Sequence, residues 1–99
     1  MLALIGHFRF PAEHKAQALP LMHEVIVATR QEAGCRGYSY AEDVTEPGLF
    51  HVTELWDDRA ALDAHFASEH MRRWSKVRDA LGFCDRHITL YELGASEQV

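Results

Sequence analysis

Residues 35–56, CRGYSYAEDVTEPGLFHVTELW, predict a β-hairpin in the middle of the chain. Residues 35–44 are rich in Tyr and Ser and predict its first strand. Thr45-Glu46-Pro47-Gly48 places proline and glycine where a tight turn needs them. Residues 49–56 predict the returning strand. The fold therefore depends on what lies before and after this hairpin.

The chain before the hairpin predicts a strand followed by a long helix. Residues 2–10 alternate as strand residues do. A helical stretch opens at Pro11 and runs over residues 11–33, and Gly34 suits a left-handed C-terminal cap. Pro20 lacks a backbone donor and crowds the preceding turn. We therefore expect either a kink near Pro20 or a helix that begins only at Leu19.

Two short helices and a last strand are predicted after the hairpin. The Asp57-Asp58 pair offers an N-cap for a helix over residues 59–66. Ser68 begins a second helix, which stops at Gly82. Residues 86–93 then alternate as a final strand.

This order of elements is the split βαβ arrangement of ferredoxin-like folds. We expect a single α+β domain over residues 1–99, with the pattern βαββαβ, an antiparallel sheet and helices on one face only. The first strand is apolar on both faces, and in the last strand Ile88 and Leu90 oppose Tyr91 and Leu93. The face without helices therefore also needs cover. A second copy of the chain would provide it, as a homodimer through sheet faces.

Charge and composition argue against several classes of partner. The formal net charge is −5, and the basic residues are scattered apart from Arg72 and Arg73. No stripe could neutralise a run of phosphates, so nucleic acid is not an expected partner. The opening MLALIGHFRF is typical of neither a signal peptide nor a membrane span, so we expect a cytoplasmic protein without a membrane partner. Cys35 and Cys84 lack CxxC spacing, and we expect reduced thiols packed as small apolar groups.

Two stretches resemble the antibiotic biosynthesis monooxygenase superfamily, and in particular its small bacterial quinol monooxygenases. They are EAGCRGYSY at 32–40 and ELWDDRAALDAHFASEHMRRW at 54–74. The family pattern is an acidic-x-Gly-Cys entering strand two, Glu-x-Trp ending strand three, Ala-Leu-x-x-His, and Ser or Thr followed closely by another His. With the order of the elements, the resemblance spans nearly the whole chain and implies a dimeric α/β barrel. The matching residues are Glu32, Gly34, Cys35, Glu54, Trp56, Ala61, Leu62, His65, Ser68 and His70.

The resemblance implies a cofactor-independent monooxygenase that oxidises a quinol or polycyclic phenol without flavin, haem or metal. Its partners would be a small aromatic substrate and dioxygen. Haem degradation is not expected, because family members that degrade haem carry an Asn and a Trp where this chain has His7 and His65. The same scaffold also carries isomerases of small hydroxyketones and ligand-binding barrels without turnover, so both remain alternatives.

The expected chemistry needs a base, because a deprotonated phenol gives an electron to triplet dioxygen far more easily than a neutral one. Histidine titrates near neutral pH. Of the seven histidines, His65 and His70 flank the break between the two short helices and are the candidate catalytic residues. The alternative is that both are structural, with His70 capping the second helix and His65 hydrogen-bonded to Glu54. Glu54 shares a strand face with Trp56, and we expect its carboxylate to orient His65.

A slot for a planar ring is predicted around these histidines. A metal site is not expected, because His65 and His70 are five positions apart and their side chains should diverge on a helix. His7 could act as a second base in this pocket. For His7 and for every residue of the slot, the alternative is a purely structural place in the core. The candidate substrate-binding residues are Trp56, Trp74, Tyr38, Tyr40, Phe66 and His7.

Overall fold

The computed structural model describes all 99 residues and has the predicted order of elements. The four strands form one antiparallel sheet, in which the first strand lies between the third and the fourth. The prediction of a ferredoxin-like α+β fold is therefore confirmed. The elements are β1 (Leu2–Arg9), α1 (Ala12–Arg30), β2 (Cys35–Glu42), β3 (Leu49–Trp56), α2 (Arg59–Phe66), α3 (Glu69–Ala80) and β4 (Cys84–Glu92).

Helix α1 differs most from its prediction. It begins at Ala12 and continues through Pro20, so the predicted later start at Leu19 is wrong. It ends at Arg30 rather than at residue 33, because the amides of the next two residues turn back to carbonyls three positions earlier. Gly34 does adopt a positive φ of 82°, but in the turn that follows the helix.

Two strand ends also differ from prediction. Strand β2 stops at Glu42, two residues early, because the Asp43 carboxylate accepts hydrogen bonds from the amide and hydroxyl of Thr45 and closes a turn there. Strand β4 begins at Cys84, two residues before the predicted start, where it already pairs with Arg9. Cys84 is exposed and Cys35 is half-buried, so the prediction that both thiols pack as small apolar groups is wrong for Cys84.

All three helices pack on the same face of the sheet. The core on that face joins Phe8 and Val52 of the strands to Met22 of α1 and Trp74 of α3. The opposite face has no helical cover, and on it Ile5 is 52% exposed. None of the helices is long and apolar enough to span a bilayer. This arrangement leaves the break between α2 and α3 over one edge of the core, where the candidate histidines lie.

Candidate active site

His65 and Glu32 form a buried pair beneath the end of α2. His65 lies in the last turn of that helix and is 1% exposed. Its Nδ1 is 3.1 and 3.0 Å from the two carboxylate oxygens of Glu32. The imidazole also packs against Trp56, with 4.7 Å between ring centroids. With its N–H at Nδ1, the ring donates to the carboxylate, and Nε2 is left as an acceptor.

The Nε2 atom of His65 is buried and has no hydrogen-bond partner. Burial lowers the pKa of His65 below its usual value of 6.5, although Glu32 acts in the opposite direction. The imidazole is therefore mostly neutral at neutral pH. A neutral ring with a fixed tautomer and a free nitrogen is the state that accepts a proton from a phenol.

The same carboxylate also holds His70. Glu32 lies in the turn between α1 and β2, and its Oε1 contacts Nε2 of His70 in the first turn of α3. His70 Nε2 is also 3.3 Å from the hydroxyl of Ser68. The prediction that the two histidine side chains diverge is wrong, because α2 ends and α3 begins between them. The chain reverses there, and both imidazoles converge on one carboxylate.

This convergence defines a set of groups that could hold a metal ion. Donor atoms of Glu32, His65 and His70 all lie within 4.8 Å of one another. Two imidazoles and one carboxylate are the donor set of many non-haem iron sites. Both candidate bases thus have the geometry of metal ligands, and metal content must be controlled in any activity measurement.

Two tyrosine hydroxyls lie next to this group. Tyr38 and Tyr40 project from the same face of β2, with 2.6 Å between their hydroxyl oxygens. Burial raises the pKa of Tyr40 to about 12 and raises the pKa of Tyr38 still further. Both phenols therefore stay protonated near neutral pH; one donates to the other, and the second proton is free for a ligand oxygen.

Glu54 does not orient His65. It is 5% exposed, and its Oε1 accepts a hydrogen bond of 3.0 Å from the indole nitrogen of Trp56. Burial raises the pKa of this carboxyl group. The predicted role of Glu54 behind His65 is wrong, because Glu32 takes that position. The two-residue period of a strand correctly predicted that Glu54 and Trp56 share one face. In the structure these two side chains hydrogen-bond to each other rather than to His65.

A narrow cleft lies between the sheet and helix α3, with His65 in its wall. Its volume is about 20 Å³, which is room for roughly one water molecule. Of the predicted ring-binding residues, Trp56 is wholly buried and does not line this cleft, because Tyr38 and His65 cover it. Phe66 is 44% exposed. The cleft is lined by Tyr38, Tyr40, Phe66 and Trp74, together with Glu54 and His65.

A wider groove lies on the other side of Trp74, between α1 and α3. Its volume is about 200 Å³, and His70 lies in its wall with Trp74 and Val25. The two candidate bases therefore face different spaces. His65 borders the narrow aromatic cleft, and His70 borders the open groove.

His7 does not belong to either space. It points to the helix-free face of the sheet, where its Nε2 is 3.6 Å from Asp85 and its ring centroid is 5.3 Å from that of His87. Its side chain is 34% exposed. The predictions of His7 as a pocket residue, and of a buried core histidine as its alternative, are both wrong, since β1 directs odd-numbered residues away from the helices. Donor atoms of these three residues form a second possible metal-ligand set.

Sequence reasoning missed two residues of the cleft region. Glu32 was part of the quoted acidic-x-Gly-Cys motif, so a signal existed, but nothing in the spacing pointed to histidines that lie 33 and 38 positions later. Arg78 lines the cleft with its Nε buried and without a partner. Its place on a helix that carries several arginines gave no sign of this role.

Comparisons with known proteins show which family the sequence matches. The family model described as antibiotic biosynthesis monooxygenase matches residues 1–77. An uncharacterised protein of Synechocystis sp., sll1783, is 28% identical over 97% of this chain, which spans only 65% of that relative's length. "Probable quinol monooxygenase YgiN" of Escherichia coli K12 is 29% identical over 78% of this chain and 84% of its own.

Comparison with solved structures shows the same fold in other proteins. A Deinococcus radiodurans protein assigned to the antibiotic biosynthesis monooxygenases superposes with a TM-score of 0.93 and 34% identity, covering 100% of this chain and 98% of its own. SnoaB, a cofactor-independent oxygenase of Streptomyces nogalater, superposes with a TM-score of 0.80 at 10% identity, over 96% of this chain and 94% of its own. The likeness to SnoaB shows a shared fold alone.

Proposed function

Because the chain belongs to the antibiotic biosynthesis monooxygenase family, we propose that it is a cofactor-independent monooxygenase that oxidises a quinol or polycyclic phenol with dioxygen. The observation that carries this proposal is the buried, unpartnered Nε2 of His65, on a ring whose Nδ1 is held by Glu32. The name of the Escherichia coli relative, a probable quinol monooxygenase, favours the same substrate class.

In the proposed reaction the substrate hydroxyl gives its proton to Nε2 of His65. The positive charge that develops on the imidazole is stabilised by the Glu32 carboxylate at Nδ1. The phenolate then gives one electron to dioxygen, and the buried aromatic walls keep water from the radical pair. One of the hydroxyls of Tyr38 and Tyr40 donates to the other, and the remaining proton is donated to a substrate oxygen. The reacting oxygen enters the narrow cleft, and the ring lies at its mouth against Phe66.

Oxygen consumption by metal-stripped protein, measured with a panel of quinols and anthrones, tests the proposal. We expect uptake above the non-enzymatic rate that is unchanged when iron or zinc is added back. Uptake that requires the added metal would overturn the cofactor-independent reaction and would point to the Glu32, His65 and His70 donor set. Deuterium wash-in from solvent without oxygen consumption would instead identify an isomerase of a small hydroxyketone.

The small volume of the cleft favours a second candidate, a ligand-binding barrel without turnover. About 20 Å³ does not hold an aromatic ring unless side chains move. Saturable binding of the same quinols, with neither oxygen uptake nor deuterium exchange, would be the result expected of that function.

We also propose that the protein is cytoplasmic and that it forms a homodimer through its sheet faces. On the helix-free face Ile5 is 52% exposed, Tyr91 49% and Leu93 43%. Exposed apolar groups that share one face indicate a contact surface. Light scattering should give twice the mass of the chain, and an Ile5→Lys variant should give the single mass. Val27→Lys is the matched control, since Val27 is 47% exposed on α1 and should leave the dimer intact. A monomeric wild type would contradict this assembly.

A further inference from the structure

Arg78 is a half-buried cation without an ion-pair partner. It lies in the last turn of α3, where its guanidinium carbon is 4.3 Å from the ring centroid of Phe83. Its Nε is buried and makes no hydrogen bond. No carboxylate lies within ion-pairing distance of its nitrogens. A buried N–H without an acceptor is costly, so the Nε of Arg78 beside the cleft is a donor available to a ligand oxygen.

The charges around Arg78 leave the cleft positive. Arg86 of β4 lines the same cleft and also makes no ion pair, although it is exposed and therefore lies at the rim. Glu54 is the only carboxylate among the lining residues, and its pKa is raised by burial. Two guanidinium groups thus face at most one negative charge. The remaining polar groups of the wall, Tyr38 and Tyr40, are protonated hydroxyls that can donate.

We propose that Arg78, with Arg86 at the rim, binds a carboxylate of the aromatic ligand, so that the site selects hydroxy-substituted aromatic carboxylates, whose phenol keeps the proton that His65 removes, over neutral compounds. The inference rests on the proposed function for the place of the ring and deepens it by naming the charge class of the substrate. Guanidinium groups form strong charge-assisted hydrogen bonds with such oxygens. Stacking on Phe83 fixes the plane of the Arg78 guanidinium before the ligand arrives.

Binding of a matched pair of probes tests the inference without any need for turnover. The pair is 1-hydroxy-2-naphthoate, which is anionic at about pH 7 and in which the carboxylate dominates recognition, and its uncharged methyl ester. Affinities are measured by calorimetry. We expect wild type to bind the acid more tightly than the ester. Arg78→Gln should weaken binding of the acid by about 10- to 100-fold and leave the ester within about twofold, as expected for losing one charged hydrogen bond.

Two further variants serve as controls for this experiment. Arg78→Lys keeps the charge and should retain part of the preference for the acid. Arg72→Gln removes an arginine from an exposed position of the same helix and should change neither affinity. Thermal unfolding checks that each variant is folded. Equal binding of acid and ester by wild type, or an unchanged acid affinity in Arg78→Gln, would overturn the inference. A preserved preference without oxygen uptake would leave the inference standing and count against the monooxygenase alone.

Discussion

Replacing His65 by Gln should lower kcat/KM for oxygen uptake with a quinol by about 100-fold or more, the loss expected when a general base is removed. Glutamine is close to histidine in size, and its amide can still donate to Glu32, so the buried pair is retained in part. What is lost is the basic nitrogen at the position of Nε2. Steady-state oxygen consumption measures the effect, and thermal unfolding establishes that the variant is folded.

Comparison with two other histidines makes the result specific. His70→Gln should lower kcat/KM less than His65→Gln does, because Nε2 of His70 already contacts Glu32 and its ring borders the open groove. His23→Gln, at an exposed position of α1, should have no effect. A loss confined to His70→Gln would move the base to the groove between α1 and α3. Equal and small losses of kcat/KM in His65→Gln and His70→Gln would show that neither histidine is the general base.

The pH dependence of the wild type provides a second readout of the same base. Because burial lowers the pKa of His65, the neutral form that accepts a proton is still the main form somewhat below pH 6.5. The acidic limb of kcat/KM should therefore lie below pH 6.5 and be absent in the His65 variant. The free energy of unfolding should also fall as the pH is lowered. The unfolded chain takes up this proton more readily than the folded one, so the contribution of His65 to stability is complete above its unfolded pKa and falls as the pH drops below 6.5.

The sequence predicted the fold well where local chemistry determines an element's end. Strand β3 and helix α2 have the predicted bounds, because Pro47-Gly48 turns the chain before the strand and the Asp58 side chain accepts from the amide of Ala61 at the start of the helix. The alternative start at Leu19 was wrong because the cost of one proline in a helix is outweighed by the packing of a whole helix face on the sheet.

The site was predicted only in part because its contacts are long-range. His65 and His70 were identified from the helix break, but their partner Glu32 comes from a turn more than thirty positions earlier in the chain. Strand alternation assigns a side chain to a face but does not give its depth, so Trp56 was placed in the cleft although it lies beneath His65. The unpaired state of Arg78 depends on every neighbouring element and has no local signature.

Replacing Gly6 by Ala should destabilise the protein by about 3 kcal/mol or more, because the central strand has no room for a side chain at this point. A Cβ atom on Gly6 would lie 1.9 Å from the carbonyl oxygen of His87 and 2.5 Å from the Cα of Ile88. Both atoms belong to the backbone of β4, so no side-chain rotation relieves the clash. Strand β4 must move away from β1, and with it Ile88 and Arg86, which form one wall of the cleft.

The matched control for this prediction is Gly37→Ala, in the edge strand β2, which is separated from β1 by β3. A Cβ atom there meets only the side chain of Leu55, at 3.7 Å, which is ordinary van der Waals contact. Since alanine restricts the unfolded chain more than glycine does, this variant should be neutral or more stable by up to about 1 kcal/mol. Urea unfolding of both variants gives the comparison. If Gly6→Ala were as stable as Gly37→Ala, β1 and β4 would have to lie further apart than they do in this structure. The wall that carries Arg86 would then no longer be held in place by their close approach, and the narrowness of the cleft would need another cause.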